Sequence, residues 1–321
     1  MEYCMTLHQD TNTFRQLILL SAQYLNMRPS YVEKDYWVTQ MLYHLAQSPY
    51  ANSVVFKGGT SLSKGYNLIN RFSEDVDVAV IHENLTGNAV KTLIRNVEKG
   101  IIGEFTPTDD PANSKGSMYR KSVLTYPVIM QDEPGAIQVR RMVLEISAFA
   151  NPFPYERREV CSLISQYLHD IDREDVVARY EMGSFVLNVL DYRRTLVEKM
   201  VSLIRFSFGE THELASKIRH FYDLYYLMQT QGCQDYVASM DFQNDLLSLL
   251  RHDQQAFDTP DNWGTKLQHG IPLVTHFDDV WEKLIPTYQA EMNSLSFSQI
   301  PSPIAVGKVV KVLFDKISNR I

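Results

Sequence analysis

The sequence has little cysteine and no long apolar run. Its 321 residues include only three cysteines, Cys4, Cys161 and Cys233, which lie far apart. An odd number at such spacing fits neither a disulfide framework nor a zinc-binding pattern, so we expect reduced thiols in the cytoplasm. No stretch of about eighteen apolar residues is present, which argues against a membrane-spanning helix. The N-terminus lacks a basic segment followed by an apolar one, so no signal peptide is expected.

The chain has no excess of positive charge: its 31 Lys and Arg residues are outnumbered by 38 Asp and Glu residues, and the formal net charge is −7. This value excludes a protein that coats nucleic acid through bulk electrostatic attraction, although it leaves room for a local basic groove. Basic residues do occur in pairs along the chain, and each pair by itself is typical of a solvated face. The candidates for a basic groove are Arg140, Arg141, Arg193, Arg194 and Arg219.

The least ordinary segment is residues 56–80, "FKGGTSLSKGYNLINRFSEDVDVAV". Its last part has the alternation of a strand, which places Val76 and its valine neighbours on one face and Asp75 and Asp77 on the other. The two carboxylates are then roughly 6–7 Å apart. Hard oxygen ligands of this kind suit Mg²⁺, which favours one or two carboxylates together with substrate phosphates.

Two glycines precede this strand and complete the pattern. Gly58 and Gly59 allow a phosphate to approach the backbone closely, and the helix predicted next, capped by Thr60 or Ser61, offers free N–H groups. The segment therefore predicts a site for a metal–triphosphate. The alternative interpretation is a solvent-facing edge strand that follows an ordinary glycine turn.

The order of predicted elements indicates an α/β (α+β) domain at residues 1–185 and a helical domain at residues 186–321. The patterns predict helices at 13–25, 31–47 and 87–100, strands at "VVFKGG", "DVDVAVI" and "QVRRMVLEISAF", and a loop between hairpin strands within 103–131. From about residue 190 onward the patterns are nearly all helical.

A Gly-Gly pair, a helix and then D-x-D on the next strand resembles the signature of the polymerase-β-like nucleotidyltransferases. The block "RFSEDVD" looks more specifically like the AbiEii/AbiGii toxin family of bacterial toxin–antitoxin and abortive-infection systems. Three further blocks resemble that family: "YVEKDYWVTQML", "DYRRTLVEKMVSLIR" and "KIRHFYDLYYL". The resemblance implies a nucleotidyltransferase fold with a short mixed sheet, and an enzyme that transfers a nucleoside monophosphate (NMP) from a nucleoside triphosphate (NTP).

The resemblance also implies a metal site for Mg²⁺ or Mn²⁺. Asp75 and Asp77 would hold the metals, and Glu145 is the best candidate for the third carboxylate. Glu145 is otherwise an exposed strand glutamate or a partner of Arg141. The usual serine after the glycines is Thr60 here, and the gap from Thr60 to Asp75 is slightly longer than is typical of the superfamily.

The remaining residues implied by the resemblance would bind the nucleotide. Its phosphates would be held by Lys57, Gly58, Gly59 and Thr60. Arg71 and Ser73 could reach the phosphates from the loop before the strand that carries Asp75 and Asp77. Lys199 would contact the triphosphate, and Asp223 would orient Lys199 or the substrate. A surface ion pair between Arg219 and Asp223 is the simpler alternative. Lys34 and Asp35 are expected to brace the first helix against the strand that carries Asp75 and Asp77, in preference to the alternative that they touch substrate.

The acceptor of the nucleotide is the least determined part of the expected reaction. Some members of the wider family modify the 3′ end of tRNA, so tRNA is the leading expectation. Transfer to a protein or a small molecule is the first alternative, and a non-catalytic NTP-binding toxin is the second. A cognate antitoxin is a further expected partner, although the acidic composition of this chain does not indicate that such a partner would be acidic.

Overall fold

The computed structural model describes residues 5–73, 75–82, 85, 87–130 and 141–317. The chain divides into two compact units. The first unit comprises residues 1–66 and 72–190, and the second comprises residues 67–71 and 191–321. The short segment Asn67–Arg71 therefore belongs with the C-terminal helices, although it lies in the sequence between two elements of the first unit.

The first unit combines helices with a sheet. Its helices are α1 (Thr11–Leu25), α2 (Pro29–Gln47), α3 (Gly58–Lys64), α4 (Asn88–Ile102), α5 (Leu163–Asp170) and α6 (Glu174–Arg179). Its strands are β1 (Val54–Lys57), β2 (Asp75–Val80), β3 (Thr106–Pro107), β4 (Ser114–Lys115), β5 (Tyr119–Thr125), β6 (Arg141–Ser147), β7 (Tyr155–Val160) and β8 (Phe185–Leu190).

Local signals explain where the first helices begin. Asp10 caps α1 by accepting a hydrogen bond from the backbone N–H of Thr13, and α1 ends at Asn26 in the left-handed conformation. Pro29 opens α2, where its missing N–H costs no hydrogen bond. Both helices start two residues earlier than the apolar periodicity predicts, because caps lie outside the periodic segment.

The described strands form one mixed sheet in the order β3-β5-β6-β2-β1-β8-β7, with β4 also pairing with β5. Strand β2 lies at its centre, antiparallel to β1 and parallel to β6. The mixed sheet confirms the predicted fold class. The central position of β2 excludes the alternative that Asp75 and Asp77 lie on an edge strand.

The two faces of the sheet differ in polarity. Val76, Val78 and Val80 on β2 are buried, and they belong to the main apolar core with residues of α1, α2, α4 and α5. Asp75 and Asp77 point to the opposite face and are only partly buried. The alternation predicted from the sequence is therefore confirmed, and the core on one face holds the carboxylates on the other.

The described regular elements of the second unit are helical. They are α7 (Tyr192–Phe206), α8 (Thr211–Ala215), α9 (Ile218–Leu227), α10 (Gln231–Ala238), α11 (Met240–Ala256), α12 (Trp263–Lys266), α13 (Pro272–Thr275), α14 (Phe277–Leu295) and α15 (Pro303–Asp315), with a short 3₁₀ turn at Leu267–His269. Phe221, Trp281 and Tyr288 pack together in its core. In the described part of the chain, no helix has the length and apolarity needed to cross a membrane.

Candidate active site

Four charged residues lie side by side across the sheet. Strand pairing places Lys57 of β1 opposite Asp77 of β2, Asp77 beside Glu145 of β6, and Glu145 opposite Lys121 of β5. Neighbouring strands are about 4.8 Å apart, so the four residues of this charged row are close neighbours on one face of the sheet. The row has the order cation, anion, anion, cation, and its two central carboxylates come from parallel strands.

Asp75 and Tyr119 extend the charged row on the same face. Asp75 lies two residues before Asp77 and pairs across the sheet with Val143. Tyr119 lies two residues before Lys121, and burial raises the pKa of its hydroxyl, as do the charge of Glu145, its hydrogen bond with Glu145, and the charges of Asp77 and Asp75. The Tyr119 hydroxyl therefore stays protonated at neutral pH and is a hydrogen-bond donor among carboxylates.

Gly58 lies directly against the carboxylate of Asp77. Its φ of +79° is a conformation that favours glycine, and a Cβ at this position would lie 2.2 Å from Oδ2 of Asp77. The Thr60 hydroxyl donates to the carbonyl oxygen of Asp75 at 2.5 Å, and Ser61 donates to the carbonyl of Gly58. Helix α3 and strand β2 are thus locked together where the glycine turn meets the aspartates.

The helix after the glycines begins earlier than expected. Helix α3 starts at Gly58, and its N-cap residue is Lys57, so the predicted caps Thr60 and Ser61 are wrong. Their hydroxyls bind backbone carbonyls within the turn instead. Among the described residues no side chain caps α3, so N–H groups of its first turn have no acceptor within the helix and can serve an anion.

We expect Gly58→Ala to displace the Asp77 carboxylate. The added methyl collides with Oδ2 of Asp77, and an alanine at positive φ costs roughly 1–2 kcal/mol. Nucleotide transfer should fall by about a hundredfold or more, since a 1 Å misplacement can cost that much. A matched control is Gly183→Ala in the same unit, because a Cβ there meets no atom of the described residues within 4 Å. Equal activity in the two variants, measured by incorporation of labelled nucleotide, would contradict the assignment of Gly58.

Asp35 braces helix α2 against helix α3, which begins at Gly58. The sequence had suggested that Asp35 braces its helix against the strand that carries Asp75 and Asp77. Its carboxylate lies 2.6 Å from Nζ of Lys64 at the end of α3, and it accepts the backbone N–H of Leu163. Lys34 is fully buried, and its Nζ lies 5.5 Å from the centre of the Phe72 ring. These contacts therefore connect Asp35 to the end of α3 and to the start of α5, and Lys34 to Phe72 before β2.

The charged row has the donor chemistry for a hard divalent cation, because Asp75, Asp77 and Glu145 place three carboxylates on one face. As the side chains stand, no three acidic, histidine or cysteine residues within the described ranges are arranged to hold a metal ion. One of the three carboxylates, that of Glu145, is paired with Lys121, whose Nζ lies 2.7 Å from Oε1. The alternative partner of Glu145, Arg141, is paired with Asp110.

The second unit contains a buried ion cluster built on Asp223. Arg71 donates two hydrogen bonds of 2.7 Å to the two carboxylate oxygens of Asp223, and Nζ of Lys199 lies 2.7 Å from Oδ2. All three side chains are at most 5% exposed. The expected alternative, a surface pair of Arg219 with Asp223, is not formed, because Asp223 is buried and Arg219 pairs with Glu291.

Electrostatics in this buried ion cluster favour the charged form of Asp223. Burial alone would raise the pKa of Asp223, but the charges and hydrogen bonds of Arg71 and Lys199 hold it well below its usual range. His220 adjoins the cluster, and its buried Nδ1 has no hydrogen-bond partner among the residues that the structure describes. Burial, followed by the charge of Lys199, lowers the pKa of His220 well below its usual value, so this imidazole is neutral.

His220 predicts a pH dependence of stability. Because its pKa is lowered in the folded protein, the unfolded chain binds the extra proton first as pH falls below about 6.5. The free energy of unfolding should therefore decrease below that pH, by at most about 1.4 kcal/mol per pH unit from this group. His220→Gln should remove this contribution between pH 7 and 5 in urea unfolding, and an unchanged slope would contradict the neutral imidazole.

The arginines proposed for a basic groove are mostly engaged elsewhere. Arg193 forms an ion pair of 2.5 Å with Asp191, and Arg194 is buried. Arg140 lies outside the described residues. Reversing the charges of Arg193 and Arg194 would therefore disturb folding of α7, and it would not report cleanly on nucleic-acid binding.

Sequence reasoning did not identify Lys121 and Tyr119. Both lie on one face of the alternating segment "YRKSVLT", which has an ordinary composition. A hairpin pairing of this strand with residues 141–147 would have placed them beside Glu145. The predicted Ser73 lies partly buried in the loop before β2.

Comparison with known proteins places these features in a family. A family model described as the nucleotidyl transferase AbiEii toxin of type IV toxin–antitoxin systems matches residues 40–300. No curated protein sequence matches the chain. Among solved structures, MenT4, a nucleotidyltransferase toxin from Mycobacterium tuberculosis H37Rv, is similar with a TM-score of 0.60 at 17% identity, covering 95% of this chain and 90% of that one.

Two structures from Helicobacter pylori are similar at a lower level. JHP933 has a TM-score of 0.41 at 15% identity, covering 90% of this chain and 94% of that one. A putative nucleotidyltransferase has a TM-score of 0.43 at 16% identity, covering 91% of this chain and 98% of that one. At these identities the likeness to MenT4 supports the fold, and the family model carries the identification.

Proposed function

The chain belongs to the AbiEii family, the nucleotidyltransferase toxins of type IV toxin–antitoxin systems, and from this premise we propose that it transfers NMP from an NTP to the 3′ end of tRNA with the help of a divalent metal. The observation that carries the catalytic part is the charged row. Asp77 and Glu145 lie side by side, Asp75 shares their face, and Gly58 lies against Asp77. The tRNA acceptor rests on the family resemblance.

The residues of this face suit nucleotidyl transfer, in which positioning and charge neutralisation matter more than covalent chemistry by the protein. A bound Mg²⁺ or Mn²⁺ would supply Lewis acidity toward the phosphates and the attacking hydroxyl. Asp75, Asp77 and Glu145 are the residues that would hold it. Lys57 and the backbone N–H groups at the start of α3 would bind the phosphates of the NTP.

The proposed step forms one bond and breaks one. The acceptor hydroxyl oxygen bonds to the α-phosphorus, the bond between that phosphorus and the bridging oxygen to the β-phosphate breaks, and pyrophosphate leaves. In this proposal Glu145 accepts the hydroxyl proton or serves as a metal ligand, and Tyr119 donates a hydrogen bond within the same face. Lys199, Asp223, Arg71 and Ser73 are kept as nucleotide-binding candidates on the strength of the resemblance.

One surface feature offers positive charge, but it lies on the face of the sheet opposite the charged row and therefore does not place an acceptor at the proposed site. Lys91, Arg95 and Lys99 are exposed at successive turns of α4, and no ion-pair partner for them occurs within the described part of the chain. This basic stripe offers the local positive charge that the net charge of −7 does not. It lies on the helix whose Glu98 contacts Ser122, on the face of the sheet opposite the charged row.

The test of the proposed function is incubation with each radiolabelled NTP, Mg²⁺ and total tRNA, followed by a denaturing gel. Label in the tRNA band supports the proposal, and that label should decrease with salt because phosphate contacts are lost. Label in a protein band would replace tRNA with a protein acceptor. Label only in small products on thin-layer chromatography would indicate a small-molecule acceptor. A cognate antitoxin, which the family implies, should suppress toxicity when co-expressed.

A further inference from the structure

Lys121 forms an ion pair with the carboxylate of Glu145, which the proposed metal site needs as a ligand. Its Nζ lies 2.7 Å from Oε1 of Glu145, and the two side chains are similarly accessible, at 29% and 28%. Strand pairing leaves Glu145 between Lys121 on one side and Asp77 on the other. An ammonium therefore lies where a cation held by Glu145 would compete for the same oxygen.

This contact has an electrostatic reason. Three carboxylates share one face of the sheet, and like charges at such spacing repel each other. Lys121 neutralises the carboxylate that lies farther from Lys57, so the face is stable before any divalent cation arrives. Glu145 must turn from the ammonium, or share its oxygens, before it can complete a three-carboxylate site.

We propose that Lys121 is a positioning residue. Its ammonium takes the place of the divalent cation beside Glu145, holds the Glu145 side chain there, and is displaced from Glu145 when the cation binds. The proposal rests on the proposed function, because it assumes that Glu145 is a metal ligand. It makes Lys121 a competitor of the cation, which weakens metal binding in the absence of nucleotide. The position of the Glu145 side chain therefore depends on whether the metal site is occupied.

The experiment measures Mn²⁺ binding to the full chain without nucleotide, by electron paramagnetic resonance of the free ion. Lys121→Met should bind Mn²⁺ about fivefold more tightly. This factor is the free energy of a partly exposed ion pair, expressed as a ratio of dissociation constants. Lys121→Arg should bind as the wild type does. Lys115→Met is the matched control, because it removes the same charge from the neighbouring exposed strand β4, and its affinity should change less than about twofold.

A double-mutant cycle with Glu145→Gln separates the specific contact from general electrostatics. Adding Lys121→Met to Glu145→Gln should give no further gain in affinity. An unchanged or weaker affinity for Lys121→Met, or an equal gain in both backgrounds, overturns this role of Lys121 while leaving the proposed function intact. Failure of the wild type to bind Mn²⁺ even with NTP present would instead overturn the proposed function.

Discussion

Asp77→Asn should lower the rate of nucleotide transfer by about a thousandfold or more while the protein stays folded. Asp77 lies at the centre of the charged row, between Lys57 and Glu145, and its carboxylate rests against Gly58. If Asp77 holds the proposed metal, its loss removes several kcal/mol of transition-state stabilisation, which corresponds to that factor in rate. The amide keeps the shape of the side chain, so packing of the valine face is preserved. The measurement is single-turnover incorporation of labelled nucleotide.

The control for Asp77→Asn is Asp109→Asn, the same chemical change at an exposed position of the first unit. Its transfer rate should equal that of the wild type. In thermal unfolding, the wild type, Asp77→Asn and Asp109→Asn should have melting temperatures within a few degrees of one another. An Asp77→Asn protein that is folded and retains more than about a tenth of the wild-type rate would contradict the proposed role of Asp77 in the reaction.

The alternation of valine and aspartate made the polarity of β2 predictable. In a strand, successive side chains point to opposite faces, so residues 75–80 determine by themselves which face carries the carboxylates. The same holds for Glu145 on β6. The neighbour relationship is different, because register between strands depends on tertiary pairing, and only the structure shows Glu145 directly beside Asp77.

Contacts between residues distant in sequence could not be predicted. Arg71 and Asp223 are 152 residues apart, and neither residue lies in a pattern that indicates the other. The i,i+4 spacing of Arg219 and Asp223 instead favoured a local pair that does not form. Burial decides between the two, because a carboxylate in the core of the second unit must be neutralised by side chains that reach the core.

The fully buried position of Asp223 leads to the second large effect, which is on stability. Asp223→Asn leaves the guanidinium of Arg71 and the ammonium of Lys199 buried without their anion. Removing one partner of a buried ion pair costs roughly 3–5 kcal/mol, a large part of the stability of a typical domain. We therefore expect a marked fall in the urea midpoint of unfolding, with little soluble protein at 37 °C.

The pH dependence of this contribution follows from the lowered pKa of Asp223. A carboxyl whose pKa is depressed by folding stabilises the protein fully above the unfolded value of about 3.9, and the stabilisation is lost as pH falls toward the folded value. The difference in unfolding free energy between wild type and Asp223→Asn should therefore be constant from pH 8 to about 5 and shrink below pH 4.

Two comparisons make the Asp223 prediction specific. Asp258→Asn, at an exposed position of the second unit, should change stability by less than about 0.5 kcal/mol. Adding Lys199→Met to Asp223→Asn should recover part of the loss, because one unpaired buried cation is removed. Lys199→Met by itself should not increase stability, since Asp223 would lose a partner.

If Asp223→Asn unfolds within about 1 kcal/mol of the wild type, the buried ion cluster is not a structural element. Loss of transfer activity in that variant would then report on Asp223 in the reaction itself.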